Sequence, residues 1–138
     1  MKKLLSLLSV LFSISIGFGQ KSDTKESYLN KNINYYDNGE KWSEGNYKEG
    51  KIDGLYTFYY KNGQKSYEEN YKDGIKVGLW TGWDQNGQKS SERFYKNGKV
   101  EGLENYWYQS GREYRELTYS NNELISSKEW NEDGSVKE

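Results

Sequence analysis

Residues 54–77, GLYTFYYKNGQKSYEENYKDGIKV, return as residues 78–101, GLWTGWDQNGQKSSERFYKNGKVE, and again as residues 102–125, GLENYWYQSGREYRELTYSNNELI. Each copy starts 24 residues after the one before it. Three glycine series keep this spacing: Gly39, Gly63, Gly87 and Gly111; Gly50, Gly74 and Gly98, with Asn122 in the fourth place; and Gly54, Gly78 and Gly102. A partial copy, NYYDNGEKWSEGNYKEGKID (residues 34–53), precedes the three. A frayed one, SSKEWNEDGSVKE (residues 126–138), follows them and reads as a capping unit. Repeats of 20 to 50 residues specify a stacked architecture in which each unit buries its apolar face against its neighbours.

Within a copy, two aromatic-rich runs alternate with glycine turns, and no helical period is present. Each copy therefore reads as a β-hairpin, with residues 55–60 and 64–71 as the strands of the first. The residue before the first-series glycine varies among Asn38, Asn62, Asn86, Ser110 and Asp133. Only the glycine is constant, which favours a three-residue loop with a type I turn and a G1 bulge over a two-residue type I′ turn. Pairing Tyr60 with Gln64 on that basis places odd-numbered residues of both strands together. Leu55, Tyr59, Tyr67 and Tyr71 would then share a structural face with Leu79, Trp83, Tyr95, Leu103, Trp107, Leu117 and Tyr119. Tyr35 and Tyr47 would extend it at one end and Trp130 at the other. The opposite face varies from unit to unit: Tyr56, Phe58 and Tyr60; then Trp80, Gly82 and Asp84; then Glu104, Tyr106 and Tyr108. Variation is where a partner would be read, so Tyr56, Phe58, Tyr60, Trp80, Tyr106 and Tyr108 are the candidate partner-binding residues.

The 138-residue chain contains no histidine, cysteine, proline or alanine. This excludes Ser-His-Asp and Cys-His nucleophile systems, thiolate or imidazole zinc sites and disulfides. Glu44, Glu68, Glu92 and Glu116 recur at 24 residues on the varying face of the expected register. With two strands per unit, they would lie about 10 Å apart, too far to share a calcium ion. Cross-strand pairing with lysine is the expected role. The reading is therefore no enzyme, no cofactor and no metal. Aromatic residues make up 17% of the chain against 33% for all hydrophobic residues, so the core must be built largely from rings. A net charge of −1 gives no electrostatic case for nucleic acid.

The N-terminus has a different composition. Lys2 and Lys3 precede the uncharged run LLSLLSVLFSISI (residues 4–16), and Gly17 and Gly19 stand at −3 and −1 before Gln20. This is the pattern of a signal peptide. As a helix, the run would span about 20 Å, short of a hydrocarbon core of about 30 Å. The expected organisation is a signal-peptide helix over residues 1–19, a polar tether or loose first strand over residues 20–34 and a repeat domain over residues 35–138. Cleavage near Gly19/Gln20 would deliver a periplasmic or extracellular protein and move the net charge to −3.

The unit G-L-[YW]-T-x-[YW]-x-x-N-G-Q-K-S-x-E-x-x-Y-K-[DN]-G, present in residues 54–74 and 78–98, resembles the MORN-repeat variant. Residues 35–134 as a whole resemble the YwqK-type antitoxin family of bacterial toxin–antitoxin systems. The resemblance implies an elongated, open antiparallel meander of β-hairpins that acts by binding a protein, or in some MORN proteins a membrane. It carries over no catalytic residues. The fold class expected is all-β. The function expected is that of an exported protein-binding scaffold, antitoxin- or immunity-like, whose partner is a toxin or an envelope protein. A glycan- or cell-envelope-binding role for the aromatic face is the alternative; membrane contact is not specifically indicated. Mass spectrometry of the exported protein should give a chain beginning near Gln20; residues 1–19 still attached would refute the signal-peptide assignment.

Overall fold

The computed structural model describes residues 30–137. The expected signal peptide, and the tether as far as residue 29, lie outside the described residues. The last five residues of that stretch belong to a strand: Asn30–Tyr35 is the first strand, β1. It is followed by β2 (Lys41–Lys48), β3 (Lys51–Tyr59), β4 (Lys65–Lys72), β5 (Ile75–Lys76), β6 (Gly78–Trp83), β7 (Lys89–Lys96), β8 (Lys99–Trp107), β9 (Glu113–Ser120) and β10 (Glu123–Glu129). They form one open antiparallel sheet in the order β1-β2-β3-β4-β6-β7-β8-β9-β10, and β5 pairs with β4 as the lead-in to β6. The expected all-β meander of hairpins is therefore what the repeat domain forms.

The first-series turns have the expected geometry. The amide of Gly63 donates to the carbonyl of Tyr60 at 2.9 Å, and the amide of Tyr60 donates to the carbonyl of Gln64 at 2.8 Å. The same pair of bonds recurs at Gly39, Gly87, Gly111 and Gly134. In each case the glycine takes a positive φ and the residue before it does not, so Ser110 and Asp133 serve as well as asparagine. The second-series turns are the two-residue kind. Asp73–Gly74 and Asn97–Gly98 have both residues at positive φ, and Asn121–Asn122 copies them without glycine. Asparagine tolerates that region better than most side chains.

The expected face assignment is overturned. Tyr59 pairs with Lys65, but the register then shifts, so that Phe58 pairs with Tyr67 and Tyr56 with Glu69. Ser66 is left over. The same shift occurs between Asn34 and Tyr35, between Gly82 and Trp83, and between Tyr106 and Trp107, which leaves Trp42, Ser90 and Tyr114 as the extra residues. One extra residue in a period-2 strand exchanges its two faces. Tyr67, Tyr71, Tyr95, Leu117 and Tyr119 thus join Tyr56, Phe58, Trp80 and Tyr106 on one face, called face I. Leu55, Tyr59, Leu79, Trp83, Leu103 and Trp107 lie on the other, face II, together with the four recurrent glutamates. Leu55 is 44% exposed, whereas Tyr56 is only 7% exposed. The physical reason is that the bulge gathers large rings from both strands onto one surface, where they pack against one another. Tyr56 lies 4.9 Å from Phe58, Trp80 lies 5.3 Å from Tyr71, and Trp80 lies 4.6 Å from Tyr95, between centroids. Such pairs contribute about 0.5–1.5 kcal/mol beyond their buried area.

Glycine also enables close approach. Gly45 on β2 sits opposite Tyr56 on β3, and a Cβ at Gly45 would fall 2.1 Å from the Tyr56 ring. The ring lies flat over bare backbone, with its hydroxyl sharing a 3.2 Å hydrogen bond with the fully buried Ser43. Gly45→Ala should therefore cost about 1–3 kcal/mol in chemical denaturation. The combined Gly45→Ala, Tyr56→Ala variant should lose less than the sum of the two single variants, since the clash needs both partners.

Candidate functional site

The two faces use their side chains differently. On face II the charges are mutually satisfied. Lys41, Lys65 and Lys89 each bridge to the glutamate three residues on, Glu44, Glu68 and Glu92. Glu44 also meets Lys31 at 2.8 Å, and Glu116 meets Lys128 at 3.3 Å, both from a neighbouring strand. The pairing with lysine is as expected, although three of the pairs form along a strand, across the bulge, instead of between strands. The same three ammonium groups lie over the rings of Tyr59, Trp83 and Trp107 in the following strand, at 5.2–5.9 Å from the centroids. Glu44 shows how well this face is compensated. The Lys31 ammonium and the Tyr59 hydroxyl hold its carboxyl down to about 2, against a smaller opposing effect of burial.

Face I contains the opening. One row of directly opposed residues runs Ser43, Phe58, Tyr67, Gly82, Ser91, Tyr106, Arg115 across seven strands. At the repeat position held by Phe58 and Tyr106, the middle unit has glycine, and its neighbour Ser91 stands where the preceding unit has Tyr67. Two small residues side by side leave a pocket of about 290 Å³ with Gly82 and Ser91 as its floor. Tyr67, Trp80 and Tyr106 form its walls, and Glu69 and Arg93 supply its polar groups. The volume suits a small ligand or one inserted side chain.

Its charges are not balanced in the way those of face II are. Arg93 is bound to Glu104, a carboxylate only 2% exposed. The guanidinium also reaches the hydroxyls of Tyr95 at 3.1 Å and Tyr106 at 3.2 Å, and Tyr106 donates to Glu104 as well. This closed network spends the charge of Arg93. Burial, followed by the nearby Glu104 carboxylate, raises the Tyr106 phenol and keeps it a neutral donor. Glu69 receives one hydrogen bond, 2.9 Å from the Tyr71 hydroxyl, and among the described residues it forms no salt bridge. Burial therefore dominates and raises its carboxyl above the ordinary value, against the lowering effects of Tyr71 and Lys76. The Lys76 ammonium lies over the Trp80 and Tyr95 rings at 4.5 and 5.3 Å.

Of the six candidate partner-binding residues, the structure brings Trp80 and Tyr106 together at this pocket. Phe58 does not line it and packs instead against Trp42 and Tyr56. Tyr56 is committed to the packing over Gly45. Tyr60 and Tyr108 stitch neighbouring loops, donating to the carbonyls of Trp83 at 2.7 Å and Trp130 at 3.0 Å. Tyr67, which is 50% exposed, was placed on the wrong face by sequence reasoning, and Glu69 was not singled out. The signal for the pocket was the pair of small residues Gly82 and Ser91, legible only once the bulge makes them neighbours.

The opposite shifts of Glu69 and Glu44 predict opposite stability effects. A raised folded value means that charged Glu69 weakens the fold at neutral pH. Glu69→Gln should therefore stabilise the protein at pH 7, and the gain should vanish as the pH falls below about 4. The depressed Glu44 contributes stability above its ordinary value, lost as pH falls toward 2. Glu44→Gln should therefore destabilise at pH 7 and cease to do so in acid. Thermal unfolding of both variants between pH 2 and pH 7 checks both signs.

The sequence profile of the MORN repeat variant matches residues 25–49, 52–73, 76–97 and 90–108, together more than half of the chain. No curated protein matches it. The second and third matches each cover a hairpin, β3–β4 and β6–β7. The chain belongs to the MORN repeat variant family.

Proposed function

We propose that the protein is an exported, non-enzymatic binding module that recognises a partner protein through face I. The observation that carries this reading is the interruption of a close-packed aromatic face by one pocket with half-exposed aromatic walls. Aromatic residues around a recess are what interface hot spots are made of, and MORN repeats are consistent with a repeat-based binding module. The basic start, uncharged run and small residues of the first nineteen positions support export. The lack of histidine and cysteine supports binding over catalysis. An exported chain would not meet a cytoplasmic toxin. An antitoxin-like role therefore requires a partner that is itself exported, as for an immunity protein, and an envelope protein is the other candidate.

A glycan reading is favoured by one observation. Tyr67, Trp80 and Tyr106 offer ring faces on which a sugar could stack, with Ser91 and Glu69 beside them as hydrogen-bonding groups. Pull-down from envelope extract with the full-length protein separates the two. A reproducible protein partner, lost with Ser91→Tyr because that change restores the ring of the preceding unit and fills the pocket, supports the first reading. Retention on peptidoglycan or polysaccharide resin with no protein captured would replace it with the second.

A further inference from the structure

The pocket over Gly82 and Ser91 has a chemistry that narrows what can enter it. Three aromatic walls favour a flat group that can lie against a ring, or a cation drawn to its π face. Glu69 adds a carboxylate with one hydroxyl donor and, among the described residues, no salt bridge. Lys76 acts on it through charge alone, its ammonium lying over the Trp80 and Tyr95 rings. Arg93 is held by the buried Glu104, and Glu92, whose side chain lies on face II, is held by Lys89 at 2.6 Å. Glu69 is thus the carboxylate of this aromatic recess of about 290 Å³ that has no direct ion pair.

We propose that this pocket takes the guanidinium of an arginine presented by the partner protein, with Glu69 as its counter-ion and Tyr67, Trp80 and Tyr106 as its stacking walls. The proposal rests on the partner-binding reading and deepens it by naming the anchor. A guanidinium is planar, stacks on rings, is weakly hydrated and engages a carboxylate through two parallel hydrogen bonds. A lysine ammonium is compact and strongly hydrated, and so gains less from flat walls. A neutral sugar could use the rings but would leave the Glu69 charge unmatched. Arginine is also among the residues enriched at hot spots. The placement of Glu69 then has a reason: a carboxylate without a direct ion pair in a recess is costly in the free protein and is relieved when a guanidinium pairs with it.

The test uses capped Gly-Arg-Gly, with capped Gly-citrulline-Gly as its neutral isostere, capped Gly-Lys-Gly, and an N-acetylglucosamine disaccharide. Each is titrated into the purified full-length protein and followed by the Gly82 and Ser91 amides and the Trp80 indole N–H in NMR. The arginine peptide should shift these signals and saturate. Citrulline should bind about tenfold more weakly or less, lysine should fall between them, and Glu69→Gln should weaken arginine binding by a similar factor while the protein remains folded. Equal binding of arginine and citrulline, an unaffected Glu69→Gln variant, or saturation by the disaccharide alone would overturn the proposal. The peptide titration needs no natural partner, so failure of the pull-down counts against the partner reading and leaves the pocket chemistry to be judged by the peptides. A protein captured equally by wild type and Glu69→Gln rejects the arginine anchor and leaves the partner reading standing.

Discussion

One unpaired residue per hairpin controls the structure. Trp42, Ser66, Ser90 and Tyr114 recur at 24 residues, and each is the extra residue of a bulge just inside a first-series turn. A strand alternates its side chains with period two, so a single insertion transfers everything beyond it to the other face. Without the bulge, Tyr67 and Tyr71 would lie with Leu55 and Tyr59, and each face would carry a dilute mixture of rings and charges. With it, the large rings Tyr56, Phe58, Tyr67 and Tyr71 of neighbouring strands meet on face I, while the recurrent lysine–glutamate pairs lie on face II beside Tyr59, Trp83 and Trp107. Gly45 beneath Tyr56, the Arg93–Glu104 pair and the pocket over Gly82 all follow from that sorting.

A single sheet has no second layer to pack against, and this one compensates along its edges as well as on its face. Loop tyrosines Tyr36, Tyr60 and Tyr108 donate to carbonyls of the next unit. On the opposite margin, the amides of Gly74, Gly98 and Asn122 donate to Ile52, Lys76 and Val100 in the preceding unit. Apart from the middle unit, which has Asp84 in place of the loop tyrosine, the repeats are thus tied to the next unit at both ends of their strands, and stability is approximately a sum of local unit and interface contributions. Such a frame can change face residues in one unit without disturbing the next. The middle unit uses that freedom: Gly82 and Ser91 replace large rings, and the frame around them keeps its register.

The contrast between the faces separates scaffold from site. The face II glutamates sit beside ammonium groups, three of which also sit over rings, so every recurrent glutamate there has a partner within the sheet. Surface pairs of this kind contribute modestly, about 0–1 kcal/mol each. Glu69 on face I breaks the pattern, a carboxylate with one hydroxyl donor and, among the described residues, no salt bridge. A local departure from an otherwise self-consistent frame is where function is expected to lie.

The 24-residue period, the all-β meander, the G1 turns and the aromatic core could be read from the order of residues, because glycine placement and ring content act locally and repeat. The fate of Tyr60 and Tyr108 could not, since their hydroxyls are bound to carbonyls 22–23 residues away. Nor could the pocket. Gly82 and Ser91 are nine positions apart in the chain and become neighbours only through the shifted pairing of β6 and β7. The sequence by itself determined which residues turn and which extend. The tertiary structure decided which side each ring faces, because a bulge is a cooperative choice between two strands that neither strand encodes alone.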